Sequence, residues 1–250
     1  MRTGNPALSD NVFRNSVWTD ANTQVMTLNG VVMKTGILLV VLATTAIFTW
    51  QQYFANGANG ATTAMPYMLG GLIGGAVFAL ITIFRPTTAP WTSPLYAACE
   101  GLALGGISAS FEAQYGGIVM QAVGLTFGTL AALLAVYSTG LIKPSENFKL
   151  GMVAATGGVM LVYLASMVLG FFGVAIPHIH GNGLIGIGFS LFVVVLASLN
   201  LVLDFDFIEE GVKNSAPKYM EWYAGFGLLM TLIWLYVEIL RLLSKLQSRD

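Results

Sequence analysis

Seven apolar runs, near residues 33–52, 65–84, 93–111, 117–141, 150–173, 183–208 and 219–246, constrain this chain more than any motif in it. Each is close to the ~20 residues that a helix needs to cross ~30 Å of hydrocarbon. Backbone N–H and C=O groups find no water inside a bilayer, and a helix satisfies them within one segment. The runs therefore predict an all-α membrane protein, a bundle of seven transmembrane helices joined by short loops. Two loops carry proline near a helix end, in Arg85-Pro86 with Pro90 and Pro94, and in Lys143-Pro144. Residues 1–32 are polar and rich in Asn and Thr, and they lack the apolar core of a secretory signal. They read as a mobile cytoplasmic tail, 33–246 as the transmembrane domain and 247–250 as a short C-terminal tail.

The composition, 56% apolar and 9% charged, is far from the roughly 25% charged of a soluble domain. A net charge of −1 without a basic cluster gives nucleic acid no electrostatic footprint, so the bilayer is the expected partner. The single cysteine, Cys99, excludes an internal disulfide and a Cys-rich metal site.

Lys and Arg in the loops set the orientation. With the N-terminus cytoplasmic, the inner segments hold Arg2, Arg14, Lys34, Arg85, Lys143, Lys149, Lys213 and Lys218, eight of the eleven basic residues. Arg241, Lys245 and Arg249 disagree, because seven crossings leave the C-terminus outside. Either the basic end of the last helix snorkels to the outer interface, or that helix is re-entrant; seven crossings is the reading taken. The run Gly70-Gly71-Leu-Ile-Gly74-Gly75 forms small-xxx-small ridges that let helix backbones approach closely, and Gly101 with Gly105 and Gly124 with Gly128 repeat the spacing.

Recognisable enzyme chemistry is missing. Gly181-Asn-Gly183-Leu-Ile-Gly186 matches a dinucleotide-binding pattern but follows no strand and runs into an apolar span, so it is rejected. His178 and His180 lack a third nearby ligand and make a poor metal site, and an exposed loop is the simpler reading. No hydrolase motif or nucleophile-base arrangement is evident, so no enzyme and no bound cofactor are expected.

What remains is carboxylate. A charge at the centre of a membrane helix costs about 2.5–3.5 kcal/mol on insertion scales, so such residues are kept where partners, water or a task exist. Asp204 and Asp206 lie inside or at the end of the sixth run, and Glu221 opens the seventh. If the last two helices form a hairpin turning at Val212-Lys213, Asp204 and Glu221 lie at one level. Glu238 then sits about 25 Å further along the helix than Glu221, in position to pair with Arg241 three residues on. Asn200, four residues before Asp204, shares its helix face and could hydrogen-bond it. Asp206 points roughly the other way and reads as part of the wetted helix end. Arg85 closes the second span, and Glu100 lies about two turns into the third. Two carboxylates in contact would share a proton, whereas a nearby arginine would hold one ionised. The plainer readings stand beside these: a structural ion pair for Asp204, an acid favoured by the dipole of its own helix N-terminus for Glu221, and a topology residue for Arg85.

At these positions the chain resembles the Bax inhibitor-1/YccA-like (TMBIM) membrane proteins. The likeness covers roughly residues 30–246: the seven runs, a basic residue closing the second, Glu100-Gly-Leu-Ala-Leu-Gly105 in the third, Leu203-Asp-Phe-Asp in the sixth and Tyr219-Met-Glu-Trp222 in the seventh. The resemblance implies a multi-pass protein of the bacterial inner (plasma) membrane, with six helices around a central last one. It further implies a calcium leak governed by a proton-sensitive pair of acids on the last two helices, with an arginine latch. By that likeness Asp204 matches the sixth-helix acid, Glu221 the seventh-helix acid and Arg85 the latch. Glu238, in Leu235-Tyr-Val-Glu-Ile-Leu-Arg241, is the other candidate for the seventh-helix acid.

Two functions follow. One is a pH-sensitive cation pathway, in which carboxylate oxygens suit a hard permeant ion such as Ca²⁺. The other is a non-conducting modulator of a membrane protease or of a stress or cell-death partner.

Overall fold

The computed structural model describes residues 25–172, 181 and 183–248, and among them the secondary structure is helical. Seven long helices answer the seven runs: α1 Leu28–Ala55, α2 Gly60–Phe84, α3 Ala89–Gln114, α4 Ile118–Ser138, α5 Glu146–Phe171, α6 Leu184–Lys213 and α7 Met220–Gln247. Six of them are long and apolar enough to cross a membrane; α3 is not. Its sequence explains the exception, because Thr92, Ser93, Glu100, Ser108, Ser110, Glu112 and Gln114 interrupt the apolar residues.

The helix ends differ from the runs where capping chemistry extends them. α1 begins at Leu28, ahead of its run, because the Thr27 side chain caps it by accepting from Gly30 N at 3.0 Å. Residues 25–32 are thus ordered, while 1–24 lie outside the described residues. Ser145 caps α5 in the same way, accepting from Phe148 N. α6 continues to Lys213, whose ammonium pairs with Glu209 one turn back. The chain then turns through Asn214–Tyr219, with Ser215 in the left-handed region at φ 51°. The turn therefore falls later than Val212-Lys213. Glu221 sits in the first turn of α7, whereas Asp204 lies about two and a half turns before the end of α6. The equal distance from the turn expected of those two acids does not follow from the helix ends.

The chain divides into two compact units, with α6 and α7 each contributing to both. In the unit formed by residues 25–116 and 207–230, α3 is the buried element. Ala97, Gly101, Leu104, Gly105, Ser108 and Ala109 are among the residues it buries. Its contact with α2 runs along Gly71 and Gly75, where any added Cβ would run into the α3 backbone or the Glu100 side chain. Its contact with α1 runs along Gly101 and Gly105, which face the backbone carbonyls of Leu42 and Ala46. Close backbone approach at small residues is how helices associate without a hydrophobic driving force between them. Gly124 and Gly128 on α4 have the same spacing, but nothing among the described residues lies within 4 Å of where their Cβ atoms would be. Helix packing was expected there and is not found; sequence spacing alone does not say which face of α4 is covered.

The first turns of α7 pack on this unit too. Phe226 meets Tyr96 edge-to-face at 4.8 Å, an arrangement worth about 0.5–1.5 kcal/mol beyond its buried area. The Ser93 hydroxyl donates to the Trp222 carbonyl at 3.4 Å.

The other unit comprises the described residues among 117–206 and 231–248. Its apolar core is Met152, Val159, Val193, Leu196 and Leu203, with Trp234 of α7 packed against them. The outward faces of α1 and α5 carry exposed Val32, Val40, Ile47, Leu161, Leu164 and Met167, which fits helices whose solvent on that side is lipid.

Candidate functional site

Buried carboxylates occur in both units, and each is handled differently. In the unit containing α1 to α3, Glu221 is 1% exposed. Its Oε1 accepts from Thr27 N at 3.0 Å, from the Thr27 hydroxyl at 2.9 Å and from Lys218 Nζ at 2.8 Å. The acid thus stands in the first turn of its own helix and also at the N-terminus of α1. Helix N-termini present unsatisfied N–H groups and a positive dipole end, and both welcome an anion. The sequence pointed to the first of these dipoles and missed the second, because Thr27 lies 194 residues away.

Arg85 caps the C-terminal end of α2 in the same unit. It is exposed, and within this unit it forms no ion pair among the described residues. Glu100 is half-buried on α3, with its carboxylate against Gly75 of α2. A side chain at position 75 would occupy the space that the acid uses.

In the other unit Asp204 is fully buried, at 0% exposure, and lies in an unbroken helical stretch after Leu201-Val-Leu203. Asn200 does not turn its amide donors to it: Nδ2 donates to the Thr156 hydroxyl at 3.0 Å and to the Leu196 carbonyl at 2.9 Å. Its side-chain partner is thus Thr156 of α5 rather than Asp204, and Asn200 joins α5 to α6.

Asp206 is not simply a wetted helix-end acid. It pairs at 2.8 Å with Lys149 of α5, which is 4% exposed and also reaches Glu146 at 3.1 Å. Lys149, counted toward orientation, lies near the start of α5 and is a buried counter-ion. Asp206→Asn is expected to destabilise the protein by about 1–3 kcal/mol, because it strips a charged partner from a buried ammonium that keeps only Glu146. Thermal unfolding in detergent checks this, and a melting curve unchanged from wild type refutes it.

Glu238 meets Arg241 as its spacing suggested. Its Oε1 accepts from Arg241 Nη1 at 2.7 Å and from the Tyr163 hydroxyl at 2.9 Å, and Arg241 also donates to that hydroxyl at 2.7 Å. The guanidinium lies over the Tyr163 ring, 5.1 Å from its centroid. One turn on, Lys245 is 5% exposed and donates to the Gly186 carbonyl at 3.0 Å and to Ser190 Oγ at 2.9 Å. α7 is one uninterrupted helix from Met220 to Gln247, and Lys245 is turned inward onto α6. Lys245 is buried within its unit and Arg241 is half-buried, and the sequence could not reveal their partners Tyr163, Ser190 and Gly186, which are 55 to 78 residues away.

His178 and His180 lie outside the described residues. Among the described residues no group of three or more His, Cys, Asp or Glu could hold a metal ion. No curated protein and no solved structure matches the chain. A family model described as Bax inhibitor 1 like matches residues 5–248, and with nearly its whole length covered the chain belongs to the Bax inhibitor 1-like family of multi-pass membrane proteins.

Proposed function

We propose that this protein is a pH-sensitive cation leak, with Ca²⁺ as the permeant ion and Asp204 as its central carboxylate. The observation that carries the reading is the complete burial of Asp204 in α6, a helix of membrane length. A carboxylate at such a place is costly unless it is used, and proton uptake there changes both charge and ligand number for a hard cation. The family likeness supplies the rest of the proposal. Glu221 is the second acid, Arg85 the latch on Asp204, α7 the central helix among seven crossings, and the N-terminus is cytoplasmic, in a bacterial inner membrane. Glu100, Asp206 and Glu238 are secondary acids on the pathway.

The test is flux of Ca²⁺ into liposomes that hold purified protein and a trapped indicator, followed from about pH 6 to 8, a range that buried carboxylates can reach. Wild type is expected to conduct with a pH-dependent rate. Asp204→Asn and Glu221→Gln should shift or abolish that dependence while the protein stays folded, and Arg85→Ala should raise the basal leak. Flux whose pH profile survives in both acid variants removes the pair from the mechanism.

A second reading, a non-conducting modulator of a membrane protease or a stress partner, is favoured by one observation. Three hydrogen-bond donors converge on a single Glu221 oxygen, which is what a purely structural fastener requires. A wild type that passes no cation at any pH selects it.

A further inference from the structure

Thr27 does two jobs with one hydroxyl. It accepts from Gly30 N, capping α1, and donates its proton to Glu221 Oε1. Its backbone N–H donates to the same carboxylate oxygen. Three residues on, Gly30 has no side chain, and a Cβ there would coincide with the Glu221 carboxyl group. The residues before Thr27 extend the contact. Met26 is buried and its N–H donates to the Ala216 carbonyl at 2.7 Å, while Val25 and Pro217 form an isolated antiparallel bridge. Lys34, further along α1, lies over the Trp222 ring at 5.0 Å. All of these residues belong to one unit. The start of α1 and the start of α7 are therefore fastened by backbone pairing, a shared cap and a charge-assisted hydrogen bond, and their centre is the carboxylate of Glu221.

We propose that Thr27 is the positioning residue of Glu221, and that Val25–Thr27 is a clasp holding the first turn of α7 in a low-leak state. The regulatory half rests on the cation-leak reading; the positioning half does not. While Thr27 and Lys218 hold Glu221 Oε1, the carboxylate cannot change partners and the first turn of α7 cannot rotate without breaking three donor contacts. Opening the clasp releases both, and the leak rises.

The experiment uses the full chain with Cys99→Ser, which leaves no native thiol. Met26→Cys reports opening through its rate of modification by a soluble maleimide in detergent. Thr27→Val removes the hydroxyl and keeps the shape. Thr27→Asp can still accept from Gly30 N and cap α1, but it offers Glu221 a like charge in place of a side-chain donor. Thr27→Ser keeps both roles. Thr27→Val is expected to raise the modification rate about tenfold, the effect of losing one hydrogen bond to a charged group, and Thr27→Asp at least as much. Thr27→Ser should match the parent. A purely capping role predicts the opposite order, with Thr27→Asp behaving as the parent does, and that result overturns the positioning role.

In a second arm, Val25→Cys with Pro217→Cys places two thiols across an antiparallel bridge, where Cα separations of about 4.5–5.5 Å fall in the range that disulfides span. Oxidation should lower Ca²⁺ flux in liposomes severalfold below the reduced protein, and reductant should restore it. A bridge that fails to form overturns the clasp. Flux indifferent to a formed bridge, in a protein that conducts, overturns its regulatory role. If wild type passes no cation, the leak reading and the regulatory half fall together, and the maleimide rates alone decide whether Thr27 positions Glu221.

Discussion

Arg241→Met is expected to destabilise the protein by about 2–4 kcal/mol in detergent. Removing one partner of a buried ion pair leaves an uncompensated charge, a loss of roughly 3–5 kcal/mol when both partners are fully buried. Here Glu238 is 1% exposed but the Arg241 side chain is 32% exposed, so water screens part of the pair and the lower range applies. The residual partner is Tyr163, whose hydroxyl still donates to Glu238. A double-mutant cycle separates the charge from the packing. Glu238→Gln alone should cost less than Arg241→Met, and the double variant should recover at least about 1 kcal/mol of the Arg241→Met loss, as expected for residues in contact. Additive losses would mean that Arg241 acts through its stacking on the Tyr163 ring rather than through charge. Chemical or thermal unfolding of the four proteins, monitored by tryptophan fluorescence, provides the measurement.

That cluster also marks where the sequence stops being informative. Glu238 and Arg241 are three residues apart on a helix, so their pairing is readable from spacing. Tyr163 is 75 residues from Glu238, and no local pattern places it there. The same holds at the other acids. Thr27 was read as part of a polar tail rather than as a helix start, and the Glu221 carboxylate that shares its hydroxyl comes from 194 residues away. The seven runs were read as seven helices because hydrocarbon length and backbone satisfaction leave few alternatives. α3 shows what that reading misses, since its run is diluted by polar residues and it is covered by neighbouring helices. Asp204 was legible as an anomaly, a charge in an apolar run, and its burial is what such a position demands. Lys149 was read as an orientation charge near a helix start, and only the long-range partner Asp206 shows that it is also a buried counter-ion.

The glycine pairs give the sharpest separation between motif and packing, and the second large effect. Gly105 and Gly124 belong to pairs with the same four-residue spacing and are indistinguishable by pattern. In the structure Gly105 faces the backbone of Ala46 on α1, and Gly124 faces open space. Gly105→Leu must therefore push α3 off α1, because a helix backbone cannot yield as a flexible side chain can. Overpacking of ordinary cores costs about 1–3 kcal/mol and occasionally more. Against a rigid backbone the expected cost is at the upper end, about 3 kcal/mol or beyond, enough to remove most folded protein from a membrane extract. Gly124→Leu adds apolar surface toward an open face and should change stability by no more than about 0.5 kcal/mol. Size-exclusion profiles and melting temperatures of the two variants decide it. A Gly105→Leu protein that elutes and melts like wild type would show that α1 and α3 are not in backbone contact, and with them would go the reason a polar helix such as α3 can be buried there at all.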